Sequence, residues 1–315
     1  MKIVIIGAGA MGSLYGAKLS AVTDTPVCLL DVWQDQVKEI NARGLTVEDV
    51  SSPEPRVYRN LRAFQDPAGI GPADLVIIFV KSTLTAQAVR TGRAVFGENT
   101  PALTLQNGLG NIEGIAETLP RTSIIAGTTA QGATLLGPGR IRHAGKGKTV
   151  IGELDGSISP RLKAAADLFN RAGLETEISA NVEGLIWDKL LVNVGINALT
   201  AVTRLRNGGL LAHEELAELL AAAVTEGVRV AGAKGIKLNV PDPVAHTREV
   251  CAATGENQSS MLQDILKGRP TEIDMINGAI LREGAAWGIA APVNGVLTKL
   301  VKFFEKTGAG ERGPA

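Results

Sequence analysis

The sequence predicts an α/β protein: an N-terminal doubly wound sheet followed by an all-α C-terminal domain. Three observations predict it. Short β-branched apolar runs alternate with helix-like segments through the first half, a glycine-rich turn follows the first of those runs, and from about residue 181 the strand runs give way to long apolar helical patterns. A chain of 315 residues has room for about two domains. The change of character places them at 1–180 and 181–315. Hydrophobic residues make up 45% of the chain, enough apolar surface to exclude a disordered polymer.

Lys2–Gly7 reads as the first strand, Ala10–Ser20 as a helix, Pro26–Asp31 as the second strand, and Trp33–Arg43 as a helix closed by Gly44. Residues 51–72, rich in Pro, Asp and Gly, read as surface loop. Asp74–Val80, Ala102–Gln106 and Ser123–Ala126 read as further strands. Strands written as continuous apolar runs are buried on both faces, as parallel strands are. The glycine-rich stretch 137–152 reads as a small antiparallel extension. Ser159-Pro160 has the chemistry of an N-cap and first helical position. The tail Gly308–Ala315 reads as frayed.

Composition excludes several function classes. Lys+Arg and Asp+Glu are both 32, and aromatic residues are 3%, so neither nucleic acid nor an anionic membrane is expected as a partner. Two cysteines, Cys28 and Cys251, and three separated histidines give no metal-ligand spacing. No metal is expected, and the cysteine usage suits a reducing cytoplasm. The apolar N-terminal run is too short for a signal peptide, and no stretch is read as approaching the roughly 20 apolar residues that span a bilayer.

Gly7-Ala8-Gly9-Ala10-Met11-Gly12 fits G-x-G-x-x-G between a strand and a helix, the context that makes the pattern specific for a dinucleotide. Gly7 permits the tight turn, Gly9 lets the backbone approach a pyrophosphate, and Gly12 lets helix and strand pack closely. The helix N-terminus offers free N–H groups to the anion. Asp31 ends the second strand, where a carboxylate hydrogen-bonds ribose hydroxyls and repels a 2′-phosphate. Val32, Trp33 and Gln34 supply no arginine for such a phosphate. The alternative is that Asp31 caps the next helix.

In Gly184–Val202, a mostly apolar segment, Lys189, Asn193 and Asn197 recur at i, i+4 and i+8. At ~100° per residue they share a sector of roughly 80°. Each buried polar group costs about 1–3 kcal/mol if unpaired, and a polar ligand would explain three in one stripe. A polar seam bonded to other protein groups would explain them equally. Farther on, Ser260 with Gln263 reads as a capping box, Thr271 with Asp274 as another helix start, and Glu272 as a first-turn acid.

These pieces together, GAGAMG, LQNGLG (105–110), WDKLLVNVGINALTA (187–201), NQSSMLQD (257–264) and GRPTEIDMINGAI (268–280), resemble the ketopantoate reductase (2-dehydropantoate 2-reductase) family from Met1 to about Lys302. The resemblance implies a Rossmann domain followed by a helical domain, and reduction of 2-dehydropantoate to (R)-pantoate on the route to pantothenate and coenzyme A. By the same resemblance Lys189 and Glu272 are catalytic, and Lys189, Asn193, Asn197, Asn207 and Ser260 bind substrate. Glu272 lies near the nicotinamide ribose and the substrate, while Lys81, Asn107 and Ala133 are cofactor-side positions. The expected cofactor is NAD(P)H. The family commonly uses NADPH, with a basic residue after the second strand, but Asp31 stands there and argues for NADH. The expected partner is a small-molecule substrate, and a homodimer through the helical half is compatible but marked by no residue. Two other readings compete: a related 2-keto or 3-hydroxy acid dehydrogenase, and a dinucleotide-sensing regulator. Asn207, Ser260 and Glu272 weigh against the first, and the presence of both Lys189 and Glu272 against the second.

Overall fold

The computed structural model describes residues 1–50, 52 and 54–307; the tail from Gly308 lies outside the described residues. The chain forms two compact units. The first holds Met1–Gln106 and Asn111–Val182; the second holds Asn107–Gly110 and the chain from Glu183 onward.

In chain order the first unit runs β1 (Ile3–Ile6), α1 (Ala10–Ser20), β2 (Val27–Leu30), α2 (Gln34–Arg43), β3 (Leu45–Asp49), β4 (Arg56–Tyr58), β5 (Leu61–Phe64), β6 (Leu75–Ile78), α3 (Thr85–Thr91), β7 (Ala102–Thr104), α4 (Asn111–Ala116), β8 (Ile124–Thr129), β9 (Gly132–Gly137), β10 (Arg140–Gly145), β11 (Thr149–Glu153), α5 (Pro160–Arg171) and β12 (Thr176–Ile178). Eight strands form one sheet in the order β12-β11-β8-β7-β6-β1-β2-β5. All neighbours are parallel except β11 against β8. Strand order reverses at β1, between β2 and β6, the crevice where doubly wound sheets bind ligands. The period of two explains why β1 is apolar at every position: Ile3 and Ile5 pack in one buried layer, Val4 and Ile6 in the opposite one.

Several sequence expectations need correction. Residues 51–72 are not all loop, since they contain β4 and β5. Leu61 and Ala63 point inward while Arg62 points out, an alternation masked by the flanking Pro and Asp. The stretch 137–152 splits. β9 and β10 do pair antiparallel, but β10 also pairs parallel with β3 in a separate four-stranded sheet, β4-β3-β10-β9, while β11 belongs to the main sheet. Ser159 does cap α5, accepting from the Leu162 N–H at 3.1 Å with Pro160 at the first helical position.

The second unit is helical: α6 (Val182–Thr203), α7 (Glu214–Ala233), α8 (Pro243–Ala253), α9 (Ser260–Leu266), α10 (Asn277–Ala286) and α11 (Pro292–Thr307), with short 3-10 turns at Asn207–Ala212 and Ile273–Met275. α6 is its central element. Trp187, Leu190, Leu191, Val194, Ala198 and Leu199 are all buried in the core. At 22 residues α6 is, contrary to the sequence expectation, long and apolar enough to cross a membrane by length and composition. Its most apolar window is 61% buried inside the protein, so the apolar run is spent on packing. Glycines allow the close crossings: a Cβ on Gly195 would lie 2.8 Å from the Thr247 methyl and one on Gly227 2.4 Å from Leu191.

Ser260 does not open a capping box. Ser259 is the N-cap of α9, and its Oγ accepts from the Leu262 N–H at 3.1 Å. Thr271 and Asp274 do not start a regular helix either. Thr271 Oγ1 accepts from the Ile273 N–H at 3.1 Å in a tight turn, and Glu272 precedes the 3-10 turn rather than lying in a first helical turn.

Candidate active site

The first unit supplies the nucleotide side. Gly7 has φ +100°, and a Cβ there would come within 2.8 Å of the Phe79 backbone. Gly12 is tighter still, with a Cβ 1.8 Å from the Gly7 carbonyl oxygen. At Gly9, by contrast, nothing of the protein lies within 4 Å of where a Cβ would be. Gly7 and Gly12 are therefore demanded by the fold, whereas the protein leaves the space at Gly9 open. The N-terminus of α1 has no capping side chain and no acidic residue in its first turn. The orphan N–H groups and the helix dipole favour an anion there. Open space at Gly9 and an uncapped helix end fit a dinucleotide pyrophosphate.

Asp31 lies beside this loop and does more than the sequence reading assigned to it. Oδ2 accepts from the Ala8 N–H at 2.5 Å and Oδ1 from the Trp33 N–H at 2.8 Å. It is not the helix cap, which is Trp33. A carboxylate oxygen has two lone-pair directions, so both oxygens keep acceptor capacity for ribose hydroxyls while one holds the glycine loop. Gln36, missed by the sequence reading, bridges the same loop: Nε2 donates to the Ala8 carbonyl at 2.8 Å and Oε1 accepts from the Gly139 N–H at 2.7 Å. Lys81 is exposed just after β6, at the start of a 3-10 turn. Gln106 fastens that turn by donating to the Val80 carbonyl at 2.7 Å and the Thr85 hydroxyl at 2.8 Å. Ala133 is half-buried on β9 opposite His143.

The second unit carries the polar stripe. Lys189, Asn193 and Asn197 all lie on α6, and Asn197 is buried. Burial pushes the Lys189 ammonium down to about 8 against the opposing pull of the Glu272 carboxylate, which favours the charged form. A lysine brought so close to neutrality can give and take a proton near physiological pH. The structure thus brings Lys189 and Glu272 together, although 83 residues separate them. Asn107, expected on the cofactor side, clusters with this unit: the Leu109 N–H donates to the Met275 carbonyl at 2.9 Å, three residues past Glu272. Gly108, at φ +78°, would drive a Cβ to 2.4 Å from that same carbonyl.

Asn207 is buried beside the α8 terminus. Its Nδ2 donates to Thr254 Oγ1 at 2.9 Å, and Thr254 in turn donates to the Val250 carbonyl at 2.7 Å. With the threonine proton so used, the amide must present its NH2 to Thr254, and Asn207 Oδ1 is left buried with no hydrogen-bond partner. Ser260 is exposed at the first turn of α9. A second buried network backs α6: Asn277 Nδ2 donates to the Val194 carbonyl at 3.1 Å and to Asn294 Oδ1 at 2.9 Å, and Asn294 Nδ2 donates to Glu226 at 2.8 Å. Sequence reading marked none of these three, because polar residues inside apolar helical runs resemble surface positions until the packing is known.

Comparison with known proteins agrees with this geometry. Residues 3–156 match the family described as ketopantoate reductase PanE/ApbA, and residues 181–305 match its C-terminal domain. The 2-dehydropantoate 2-reductase of Halobacterium salinarum is 40% identical over 98% of this chain and 100% of its own length. That of Pyrococcus horikoshii is 37% identical over 99% and 100%. Among solved structures, a PanE/ApbA family ketopantoate reductase from Ralstonia eutropha superposes with a TM-score of 0.88 at 35% identity, covering 98% of this chain and 99% of that one. A D-mandelate dehydrogenase in ternary complex with NADH and anilino(oxo)acetate superposes with a TM-score of 0.88 at 31% identity over the same shares.

Proposed function

The chain belongs to the ketopantoate reductase family, the enzymes that reduce 2-dehydropantoate, and on that premise we propose that Lys189 is its proton donor and NADH its preferred reductant. The observation that carries the first proposal is the desolvated Lys189 ammonium opposed by Glu272 on a helix whose same face bears Asn193 and Asn197.

When bound, the reduced nicotinamide supplies hydride to the keto carbon. The protein's own groups do the rest. As negative charge develops on the keto oxygen, the Lys189 ammonium stabilises it and delivers its proton there. Glu272 holds that ammonium charged in an environment that would otherwise strip its proton. Asn193, Asn197, Asn207 and Ser260 bind the substrate hydroxyl and carboxylate and fix its orientation. On the cofactor side, Gly7 to Gly12 and the N-terminus of α1 take the pyrophosphate, and Lys81, Asn107 and Ala133 are assigned further cofactor contacts.

Support for NADH comes from Asp31. Its carboxylate, anchored on the Ala8 N–H, would face a 2′-phosphate with like charge. Two D-mandelate dehydrogenase structures similar to this chain, at 31% and 32% identity, contain NADH, which supports the reading. The enzyme is read as cytoplasmic and acting on a small molecule. The test is oxidation of NADH and of NADPH on adding 2-dehydropantoate, for the wild type, Asp31→Arg and Lys189→Ala. Wild type should favour NADH, Asp31→Arg should move the ratio toward NADPH, and Lys189→Ala should lose most turnover while still binding NADH. An NADPH-preferring wild type sinks the Asp31 reasoning; equal loss of turnover and binding in Lys189→Ala sinks the proton-donor role.

A further inference from the structure

In the buried interior of the second unit the hydroxyls of Thr200 and Ser259 meet at 2.7 Å. Thr200 lies eleven residues beyond Lys189 on α6, which at ~100° per residue returns it to within about 20° of the lysine. It is the fully buried far end of the Lys189, Asn193, Asn197 stripe. Each hydroxyl also has a backbone partner. Thr200 Oγ1 lies 3.0 Å from the carbonyls of both Ile196 and Asn197. Ser259 Oγ accepts from the Leu262 N–H at 3.1 Å. A chain of hydrogen bonds therefore links the α9 backbone through two hydroxyls to the α6 backbone.

The residue after Ser259 is Ser260. On the other side of the turn, the Asn257 carbonyl accepts from the Asn207 N–H at 3.0 Å. The turn 257–260 is thus pinned at two points, once to the helix carrying Lys189 and once to the segment carrying Asn207. Local structure alone does not require the first pin. Capping of α9 needs only the bond to Leu262, and a buried helical threonine can satisfy its proton on its own preceding turn. Only the placement of one segment against the other requires that the two hydroxyls meet.

We infer that Thr200 and Ser259 are positioning residues for substrate: their hydroxyl relay sets Ser260 in register with Lys189, Asn193 and Asn197. The inference rests on the reading of Ser260 as a substrate contact, so the experiment tests the two separately. Thr200→Val, Thr200→Ser and Ser260→Ala are made in the full chain, with initial rates measured against 2-dehydropantoate and NADH and melting followed in parallel. Thr200→Val should raise KM for 2-dehydropantoate by roughly tenfold, leave KM for NADH unchanged, and be rescued by Thr200→Ser. The double variant Thr200→Val, Ser260→Ala should be no worse in KM than Ser260→Ala alone. A Thr200→Val protein that melts earlier with an unchanged KM overturns the inference, since the pair is then structural only. Failure of Thr200→Ser to rescue overturns it too, because the hydroxyl is then not the agent. If Ser260→Ala leaves KM unchanged, the substrate role of Ser260 falls and the inference falls with it; if Ser260→Ala raises KM and Thr200→Val does not, the relay alone is refuted.

Discussion

The ionisation of Lys189 makes a quantitative demand on the reaction. Burial lowers its pKa from 10.5 to about 8, a change of 2.5, equivalent to about 3 kcal/mol of lost preference for the charged form. A proton donor must be charged to act, so kcat/KM for reduction should be level at low pH and fall about tenfold per unit once pH exceeds about 8. The reverse oxidation of pantoate needs the neutral amine and should rise through the same midpoint. Glu272 is the group that favours the ammonium, so Glu272→Gln should move the midpoint lower. The bound substrate carboxylate acts the same way as Glu272, so the midpoint in kcat should lie above that in kcat/KM. The assay is the initial rate of NADH oxidation at limiting 2-dehydropantoate between about pH 6 and pH 10, which brackets the expected midpoint. A profile that stays level to pH 10, or a midpoint that rises in Glu272→Gln, would refute the assignment of Lys189 as a desolvated acid held charged by Glu272.

Two further outcomes follow from the same contacts. Because folding lowers the lysine pKa, the unfolded chain holds the proton more tightly, and the group destabilises the fold below about pH 8, with the cost fading as pH rises toward 10.5; Lys189→Met should therefore abolish turnover yet raise stability by about 1–3 kcal/mol at neutral pH in urea titration, with the gain shrinking above pH 8, and a destabilised variant at neutral pH would show the ammonium to be well accommodated. In the glycine loop, Gly12→Ala meets the Gly7 carbonyl while Gly9→Ala meets nothing within 4 Å, so the first should lower the melting temperature and the second should leave it unchanged while weakening NADH binding measured by fluorescence; equal melting losses would mean that Gly9 serves the fold rather than the cofactor.

The sheet was legible where burial leaves a simple trace. β1, β2 and β6 are buried on both faces, and a run such as Ile3 to Ile6 can hardly be anything else. β5 was not legible because it is the sheet edge, only four residues long with Arg62 in its middle, and set among Pro, Asp and Asn. Asn60, for example, donates to the carbonyls of Ser20 and Thr23 at 3.1 and 2.8 Å. The pairing of β3 with β10, some 90 residues apart, leaves no local sign at all. The same limit explains Asn107: the segment 107–110 groups with the helical unit, where the Leu109 N–H bonds to the Met275 carbonyl, and no pattern in 105–110 encodes that contact.

The site shows a different division. Groups that would touch a ligand stand out in sequence because their chemistry is out of place, as a lysine in an apolar helix is. Groups that hold those residues do not, because Thr200, Ser259, Asn277 and Gln106 are ordinary residue types in ordinary positions. Their role becomes visible only through their hydrogen-bond partners in the fold. Asn207 gives the clearest case. From sequence it is one more asparagine. In the fold, the Val250 carbonyl takes the Thr254 proton, Thr254 can then only accept from Asn207, and the orientation of the amide follows. What remains is one buried acceptor without a donor, as at Asn277 Oδ1 in the network behind α6, each at a cost of about 1–3 kcal/mol.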